Sequence, residues 1–397
     1  MSNIYPKLRN VNSNSNWQTA TLGDVVKEYK VSNKLIHHQN LLSLSYGKIV
    51  PKDIESKKGL LPASFDTYQI IKEDIIVFRV TDLQNDKKSL RVGISSQEGI
   101  ITPAYVCVEC NNKQISPKYL FTLLHYYDSI TKVMYKMGDG LRQTLSYREL
   151  KDLVIYIPSI NEQHYITDVF EEIDTYITIG NKMLASLKKI KEASLQAMFP
   201  QEGETVPKIR FKGFDGEWKK VKLGTLFSER TENDINGEML SVTMHDGIIK
   251  ASENGRFDNS NSDKSNYKLV LENDIAYNSM RMWQGASGCS PYRGIVSPAY
   301  TVITPYEDVN SSFFACYFKT TQMIEKFRLH SQGLTKDTWN LKFPAFSKIT
   351  VTYPQSVNEQ QAIASYFTAL DKQISLQSQR LEKLKQIKAA CLDKMFV

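Results

Sequence analysis

Hydrophobic positions fall into two alternating textures along this chain, and each texture occurs twice. From Ile166, apolar residues recur in steps of four and three: Ile166, Phe170, Ile173, Ile177, Leu184 and Leu187, and further on Met198. Ile363, Phe367, Leu370, Ile374, Leu381 and Leu384 repeat the series, followed by Cys391 and Met395. That spacing predicts two long amphipathic helices with a coiled-coil-like seam. Pro158 and Pro354 close extended stretches just before them, and Ser159-x-x-Glu162 and Ser356-x-x-Glu359 read as capping boxes. A helix from Asn161 to Phe199 would be roughly 55 Å long, too long to bury its stripe alone. Its simplest partner is the second copy, lying antiparallel; the alternative packs each helix on its own domain.

The stretches before the helices, Trp17 to Ile157 and Trp218 to Tyr353, have a shorter rhythm. Strand-like runs (Ile75 to Val80, Ala104 to Val108, Leu153 to Ile157, Ile295 to Ile303, Ile349 to Tyr353) alternate with helix-like ones (Pro117 to Met137, Ser311 to Leu329). Each stretch reads as a compact α+β domain. The boundaries are a polar segment 1–16, a first domain 17–157, a first helix 158–199, a linker 200–217 that opens with the polar stretch Pro200–Pro207 (two prolines and a glycine), a second domain 218–353 and a second helix 354–397.

The duplication is legible residue by residue. Trp17-x4-Leu22-Gly23 returns as Trp218-x4-Leu223-Gly224, and Glu73-Asp74-Ile75 as Asn273-Asp274-Ile275. Gly99-Ile-Ile-Thr-Pro103-Ala104-Tyr105 returns as Gly294-Ile-Val-Ser-Pro298-Ala299-Tyr300. Asn161-Glu162-Gln163 returns as Asn358-Glu359-Gln360, after which a constant offset of 197 carries Asp174 onto Asp371, Lys191 onto Lys388 and Met198-Phe199 onto Met395-Phe396. The globular parts have diverged and the helices have kept register.

Charge adds little by itself. The chain has 397 residues and a net charge of +7, and the parts before and after the Phe199–Pro200 junction carry +4 and +3. A polyanionic partner is compatible with this. Five cysteines in a chain this long point to a reducing compartment rather than a disulfide framework. Cys107-x-x-Cys110 lies in a strand-like run with no second pair, which favours a core strand over zinc or redox chemistry. A signal peptide and a membrane-length apolar run are both missing, so the cytoplasm is the expected location.

Enzyme signatures are missing from the sequence. It holds no GxxxxGK[ST], no GxGxxG between strand and helix, no HExxH and no Asp/Asn-Pro-Pro-aromatic run; six histidines are scattered, and Asp74 and Asp274 read as a turn entering a strand. Residues suited to reading base edges are present instead. In the first domain these are Arg79, Lys87, Lys88, Arg91, Arg142, Gln143, Tyr147 and Arg148. In the second they are Arg256, Lys264, Lys268, Arg281, Trp283, Gln284, Arg293, Lys336 and Trp339. Arg281-Met-Trp283-Gln284-Gly285 stands out because a cation, an aromatic ring and an amide adjoin a glycine. Any one of these cations has phosphate contact or simple solvation as its competing role, and Trp283 a place in the core. The helix lysines (Lys182, Lys188, Lys189, Lys191, Lys372, Lys383, Lys385, Lys388, Lys394) face DNA, a protein partner, or water on the outer side of a coiled coil.

Taken in order, these pieces resemble the specificity subunit of type I restriction–modification systems. The resemblance rests on the Trp-x4-Leu-Gly openings and on Gln143-Thr-Leu145-Ser146-x-x-x-Leu150-x-x-Leu153-x-Ile155-x-Ile157-Pro158. It continues through Glu162-Gln163, Ile173-Asp174, Leu187 and Met198-Phe199, with their second-copy counterparts. It implies two tandem pseudo-symmetric target-recognition domains, each reading half of a split site in double-stranded DNA. It also implies an antiparallel helix pair that sets the spacing and docks two methyltransferase subunits, with restriction/translocase subunits in the full complex. S-adenosylmethionine, ATP and Mg would belong to those partners, with no cofactor, metal or catalytic residue in this chain. The second approach, Thr338-Trp339-Asn340-Leu341-Lys342-Phe343-Pro344, departs from the family's wording and leaves that boundary open. A non-catalytic scaffold of duplicated protein-binding domains is the alternative.

Overall fold

The computed structural model describes residues 6–8, 16–36, 38–45, 47–52, 64–81, 91–111, 113–137, 144–244, 247–253 and 263–396. Two helices of 38 residues dominate, Ile160–Ala197 and Val357–Lys394. The chain divides into two compact units, one made of residues 1–181 and 379–397, the other of residues 182–378. The cuts fall beside Gly180 and Gln377, and the offset of 197 relates them. Each unit therefore holds one globular domain, the first half of the helix that follows it, and the second half of the other helix.

In the first unit a six-stranded sheet runs in the order Val26–Glu28, Val106–Cys110, Ile76–Phe78, Val92–Ile94, Lys48–Pro51, Leu42–Ser45. All its pairings are antiparallel except that of Val92–Ile94 with Lys48–Pro51. In the second unit the corresponding sheet has four antiparallel strands, Phe227–Glu229, Tyr300–Pro305, Ile275–Asn278 and Ser287–Cys289. Smaller two-stranded pairings recur in both. Gln18–Thr21 pairs with Val154–Ile157 as Lys219–Lys222 pairs with Thr350–Tyr353, and Gln69–Ile71 pairs with Gly99–Ile101 as Lys268–Val270 pairs with Gly294–Val296.

The repeated sequence words are the joints of this architecture. The Leu22 and Gly23 amides donate to the carbonyls of Leu153 and Lys151, and the Leu223 and Gly224 amides to those of Ile349 and Ser347. A Cβ on either glycine would lie under 3 Å from the Cβ of Lys151 or Ser347, so the close crossing admits only glycine. Gln163 and Gln360 are wholly buried and make the same three bonds. Gln163 accepts from the Ser116 amide and donates to the carbonyls of Gln114 and Pro158. Gln360 accepts from the Asn310 amide and donates to Asp308 and Pro354. Each thus fastens a long helix to the domain that precedes it.

The helix ends complete the cores. In the first unit Phe396 packs against Trp17, Tyr119, Tyr126 and Phe170; in the second Phe199 packs against Trp218, Phe313, Tyr317 and Phe367. The helical segments run antiparallel within each unit. Lys191 pairs with Asp371, and Ser194 Oγ lies 2.9 Å from the Tyr366 hydroxyl, whereas Lys388 pairs with Asp174 in the first unit. Of the residues assigned to helix pairing, Ile166 and Phe170, and likewise Ile363 and Phe367, are buried in the core of their own globular domain. The end of the other long helix closes the same cores, Phe396 stacking on Phe170 and Phe199 on Phe367, so these positions meet both their own domain and the opposite helix. Leu187, Leu370 and Leu381 are buried farther along, while Ile173, Ile177, Leu184, Ile374 and Leu384 are half-buried.

Several other expectations are revised. The helix-like run 117–137 is three pieces, with a π-helical turn Tyr127–Thr131 and a left-handed Lys132 (φ 56°). Ser311–Leu329 breaks at Thr320, whose hydroxyl caps a second helix. Ile295–Ile303 is two strands separated by a turn at Ser297. In both long helices the serine half of the capping box forms, Ser159 Oγ accepting the Glu162 amide and Ser356 Oγ the Glu359 amide; in the second helix the Glu359 carboxylate is bound bidentately by Arg210 (2.7 and 2.8 Å) and receives Trp218 Nε1 instead of closing the box. Arg210 belongs to the linker, which is therefore pinned. The amide of its neighbour Ile209 donates to the Ala197 carbonyl, as Leu8 in the N-terminal segment donates to Lys394. Leu8 and Ile209 are thus placed alike at the ends of the two long helices, and the sequences Pro6-Lys7-Leu8-Arg9 and Pro207-Lys208-Ile209-Arg210 repeat around them.

The register of the acidic turn also shifts by one. Asp74 and Asn273 share the left-handed conformation (φ 65° and 69°), and Ser95 and Ser290 donate to the carbonyls of Ile75 and Asp274. Asp74 therefore matches Asn273, not Asp274. At the next position the first unit buries Ile75 beside Tyr29, and the second buries Asp274 under Arg230 in a bidentate pair at 2.6 and 3.1 Å. Cys107 and Cys110 lie on one strand and enter two different cores, where burial pushes both thiols up to about 12. They face away from each other and form no shared site.

Candidate nucleic-acid interface

The second unit brings together residues that are far apart in sequence. After strand Ile275–Asn278 the chain makes a one-turn helix, Met282–Gln284, ended by Gly285 in the left-handed conformation (φ 82°). The turn presents Arg281 and Gln284 to solvent, with Arg281 Nη1 3.2 Å from Gln284 Oε1. Trp283 is half-buried; its Nε1 donates to the Met280 carbonyl, and its ring meets that of Trp339 edge-on at 5.3 Å. Arg328 lies over the other ring at 6.0 Å from its centroid and is held by Glu325. Trp339 belongs to a loop closed by reciprocal bonds between Gln332 and Asn340, with exposed Leu334 and Lys336 toward its tip. The Leu341 amide donates to the Ser279 carbonyl, so the two loops leave the core side by side. The surface offers cations, amides and aromatic faces on a braced backbone, the chemistry that contacts phosphates and base edges.

Lys264, Lys268 and Arg293 lie elsewhere, around strands Lys268–Val270 and Gly294–Val296. Arg293 pairs with Asp234 at 3.2 Å and Lys268 with Glu229 at 3.6 Å, so carboxylates partly neutralise that region.

In the first unit Leu145 donates to the Val80 carbonyl as Leu341 does to Ser279. This aligns Leu341 with Leu145 and Ser279 with Val80. Lys87, Lys88, Arg142, Gln143 and Arg256 lie outside the described residues. Arg148 is exposed on the short helix Tyr147–Leu150, Tyr147 is half-buried with its hydroxyl 3.4 Å from the Val26 carbonyl, and Arg79 is half-buried. Arg91 is 1% exposed and its guanidinium donates to the Thr81 carbonyl. Its assignment as a base reader is corrected, since a guanidinium turned inward cannot reach a groove. Among the helix lysines, Lys191 and Lys388 pair with aspartates of the opposite helix, Lys385 lies 3.9 Å from Glu382 on its own helix, and all but Lys191 and Lys388 are exposed.

Among the described residues, no group of three or more His, Cys, Asp or Glu is placed to hold a metal, and no helix is long and apolar enough to cross a membrane.

Residues 215–386 match the type I restriction modification DNA specificity domain. The chain is 22% identical over 297 residues (70% of this chain, 67% of the relative) to a putative type I restriction enzyme MjaX specificity subunit of Methanocaldococcus jannaschii. It is 24% identical over 216 residues (52% and 48%) to the type I restriction enzyme MjaVIII specificity subunit of that organism. Among solved structures, the S subunit of a type I restriction–modification system from M. genitalium is similar with a TM-score of 0.60 at 15% identity, over 99% of both chains. A structure described as showing complex assembly and conformational transition of the type I restriction–modification system is similar at 0.50 and 14% identity, over 98% of this chain and 99% of that one. The fold is similar to that of the type I restriction–modification S subunit from M. genitalium, and the family-model match to the DNA specificity domain spans residues 215–386.

Proposed function

We propose that this chain is the DNA-reading specificity subunit of a type I restriction–modification complex, working in the cytoplasm in defence against foreign DNA. Each globular domain reads one half of a split site in double-stranded DNA. The long helices fix the distance between readers and dock two methyltransferase subunits, and restriction/translocase subunits join the full complex. The chain performs no chemistry; S-adenosylmethionine, ATP and Mg act on the partner subunits. The observation that carries this reading is the second-unit surface in which Arg281, Gln284, Trp283 and Trp339 converge on two braced loops within the matched specificity domain. Two half-sites about 34 Å apart present the same groove face, so a rigid helix pair suits the task better than a flexible tether.

Exchange of residues 17–157 for the corresponding domain of another such subunit tests this directly. The methylated motif should change in one half only, with the spacer kept. A change in both halves would refute modular reading.

A further inference from the structure

Lys319 lies in the turn between helices Ser311–Tyr317 and Thr321–His330, beneath the loop that carries Arg281, Trp283 and Gln284. Its Nζ donates to the carbonyls of Met244 (3.0 Å), Ser287 (2.9 Å) and Gly285. An ammonium has three N–H groups and no acceptor, so this set uses all of them. Gly285 ends the one-turn helix, and Ser287 begins the strand by which the loop re-enters the sheet. Within the turn the Asn278 amide donates to the Ala286 carbonyl, Arg281 to Asn278, Gln284 and Ala286 to Arg281, Gly285 to Met282, Ser287 to Gly285, Met280 to Asn278 Oδ1 and Trp283 Nε1 to Met280. These bonds shape the turn from inside, whereas the Lys319 ammonium ties its Gly285 and Ser287 carbonyls to the Met244 carbonyl outside it, and so bears on the direction in which Arg281 and Gln284 point.

The first unit supplies an independent counterpart. The bonds of Gln163 to Ser116 and of Gln360 to Asn310 place the two domain helices in register. From the π-helical turn after the first of these comes Asp128, whose carboxylate accepts the Arg91 amide where the chain enters strand Val92–Ile94. One unit uses a cation on carbonyls and the other an anion on an N–H, and both grip the backbone at the same return point.

We propose that Lys319 is a positioning residue for DNA recognition, its ammonium holding the turn 279–287 in the shape from which Arg281 and Gln284 read one half-site. This rests on the DNA-reading function proposed above. A site that must be held to within a fraction of an ångström needs such support behind the contacting residues.

The test compares the full chain with its Lys319→Met variant, each in complex with the modification subunit, on DNA in which every base of both half-sites is varied in turn. The variant should lose about tenfold in discrimination at the half-site read by residues 218–353 and none at the other. Between pH 7 and 9.5 the wild-type complex should lose discrimination at that half-site, because burial pushes the Lys319 ammonium down to about 8 and a neutral amine has two N–H groups for three carbonyls. The variant's profile should stay flat. The groups facing Lys319 are Lys191 and Asp371 of the long helices and Cys316, whose thiol burial holds up at about 12, above that range. A variant as strict as the wild type at both half-sites overturns the proposal. Hydrogen exchange of the free chain tests the clamp without DNA: the amides of residues 284–287 should exchange about tenfold faster in the variant, and unchanged exchange overturns the proposal. If exchange accelerates but the wild-type complex recognises no split motif, the DNA-reading assignment fails and Lys319 remains a clamp without that role, which also overturns the proposal.

Discussion

Lys388 Nζ lies 2.6 and 2.8 Å from the two carboxylate oxygens of Asp174, and the repeat offset of 197 maps this pair onto Asp371 and Lys191, themselves 2.5 Å apart. In one pair the aspartate is on the first long helix, in the other the lysine is. The duplication repeats the contact within each unit: where position i of one helix meets j of the other, the copy of j meets the copy of i. The pairs are partly exposed, so each is worth about 0.5–1 kcal/mol. Reversing Lys388 to Asp should cost about that much in urea unfolding, and adding Asp174→Lys should restore most of it. Zero coupling energy in the double-mutant cycle would contradict the pairing.

Gln360 and Gln163 should behave alike under substitution. Leucine at either position has similar bulk but leaves one amide and two carbonyls without their partner. The expected loss is about 2–3 kcal/mol, from buried polar groups left unsatisfied. Equilibrium unfolding of the two variants checks this, and a loss below about 0.5 kcal/mol would show that the amide does not fasten the helix.

Arg230 and Asp274 form a buried ion pair where the first unit has Tyr29 and Ile75. Removing one partner, as in Asp274→Leu, should cost about 3 kcal/mol, because the half-buried guanidinium keeps only Glu232 at 3.5 Å and the Leu271 amide and Thr304 hydroxyl lose their acceptor. Transplanting the first unit's solution with Arg230→Tyr and Asp274→Ile together should recover most of that loss. Thermal unfolding of single and double variants distinguishes a replaceable pair from one with a further role.

His125 occupies in the first unit the position that Lys319 occupies in the second, by the register of the preceding helices. Burial, aided by Lys388, pushes its pKa down to about 4, against an ordinary value near 6.5. The unfolded chain then binds more protons than the folded one between about pH 6.5 and 4, so stability falls as pH drops through that window and levels off below it. Urea titrations from pH 7 to 4 should show this slope, diminished in His125→Phe. An equal slope in both proteins would place the acid sensitivity elsewhere.

Much of this architecture was legible because duplication prints the same joint twice. Trp-x4-Leu-Gly, Glu-Gln and Met-Phe each mark a contact that every copy must make, so they survived while loops diverged. The one-residue slip at Asp74 was not legible, since Asn273-Asp274 offers two acidic-turn readings and only the serine bonds choose between them. The buried state of Arg91 was hidden for a related reason: an arginine in a polar stretch looks the same whether it faces a groove or a carbonyl. Lys319 carried no signal at all, because its three partners are backbone carbonyls that any sequence supplies. Arg281, Trp283 and Gln284 could be singled out as neighbours, but their union with Trp339 depends on the Leu341–Ser279 bond, which crosses 62 residues.

The most direct measurement is to co-express this chain with its modification subunit in a host lacking that activity and to map methylated adenines across the genome. Methylation at a single two-part motif with a fixed spacer, absent when this chain is omitted, is the predicted result. A stable complex that methylates no motif, or one whose motif does not depend on this chain, would contradict the account.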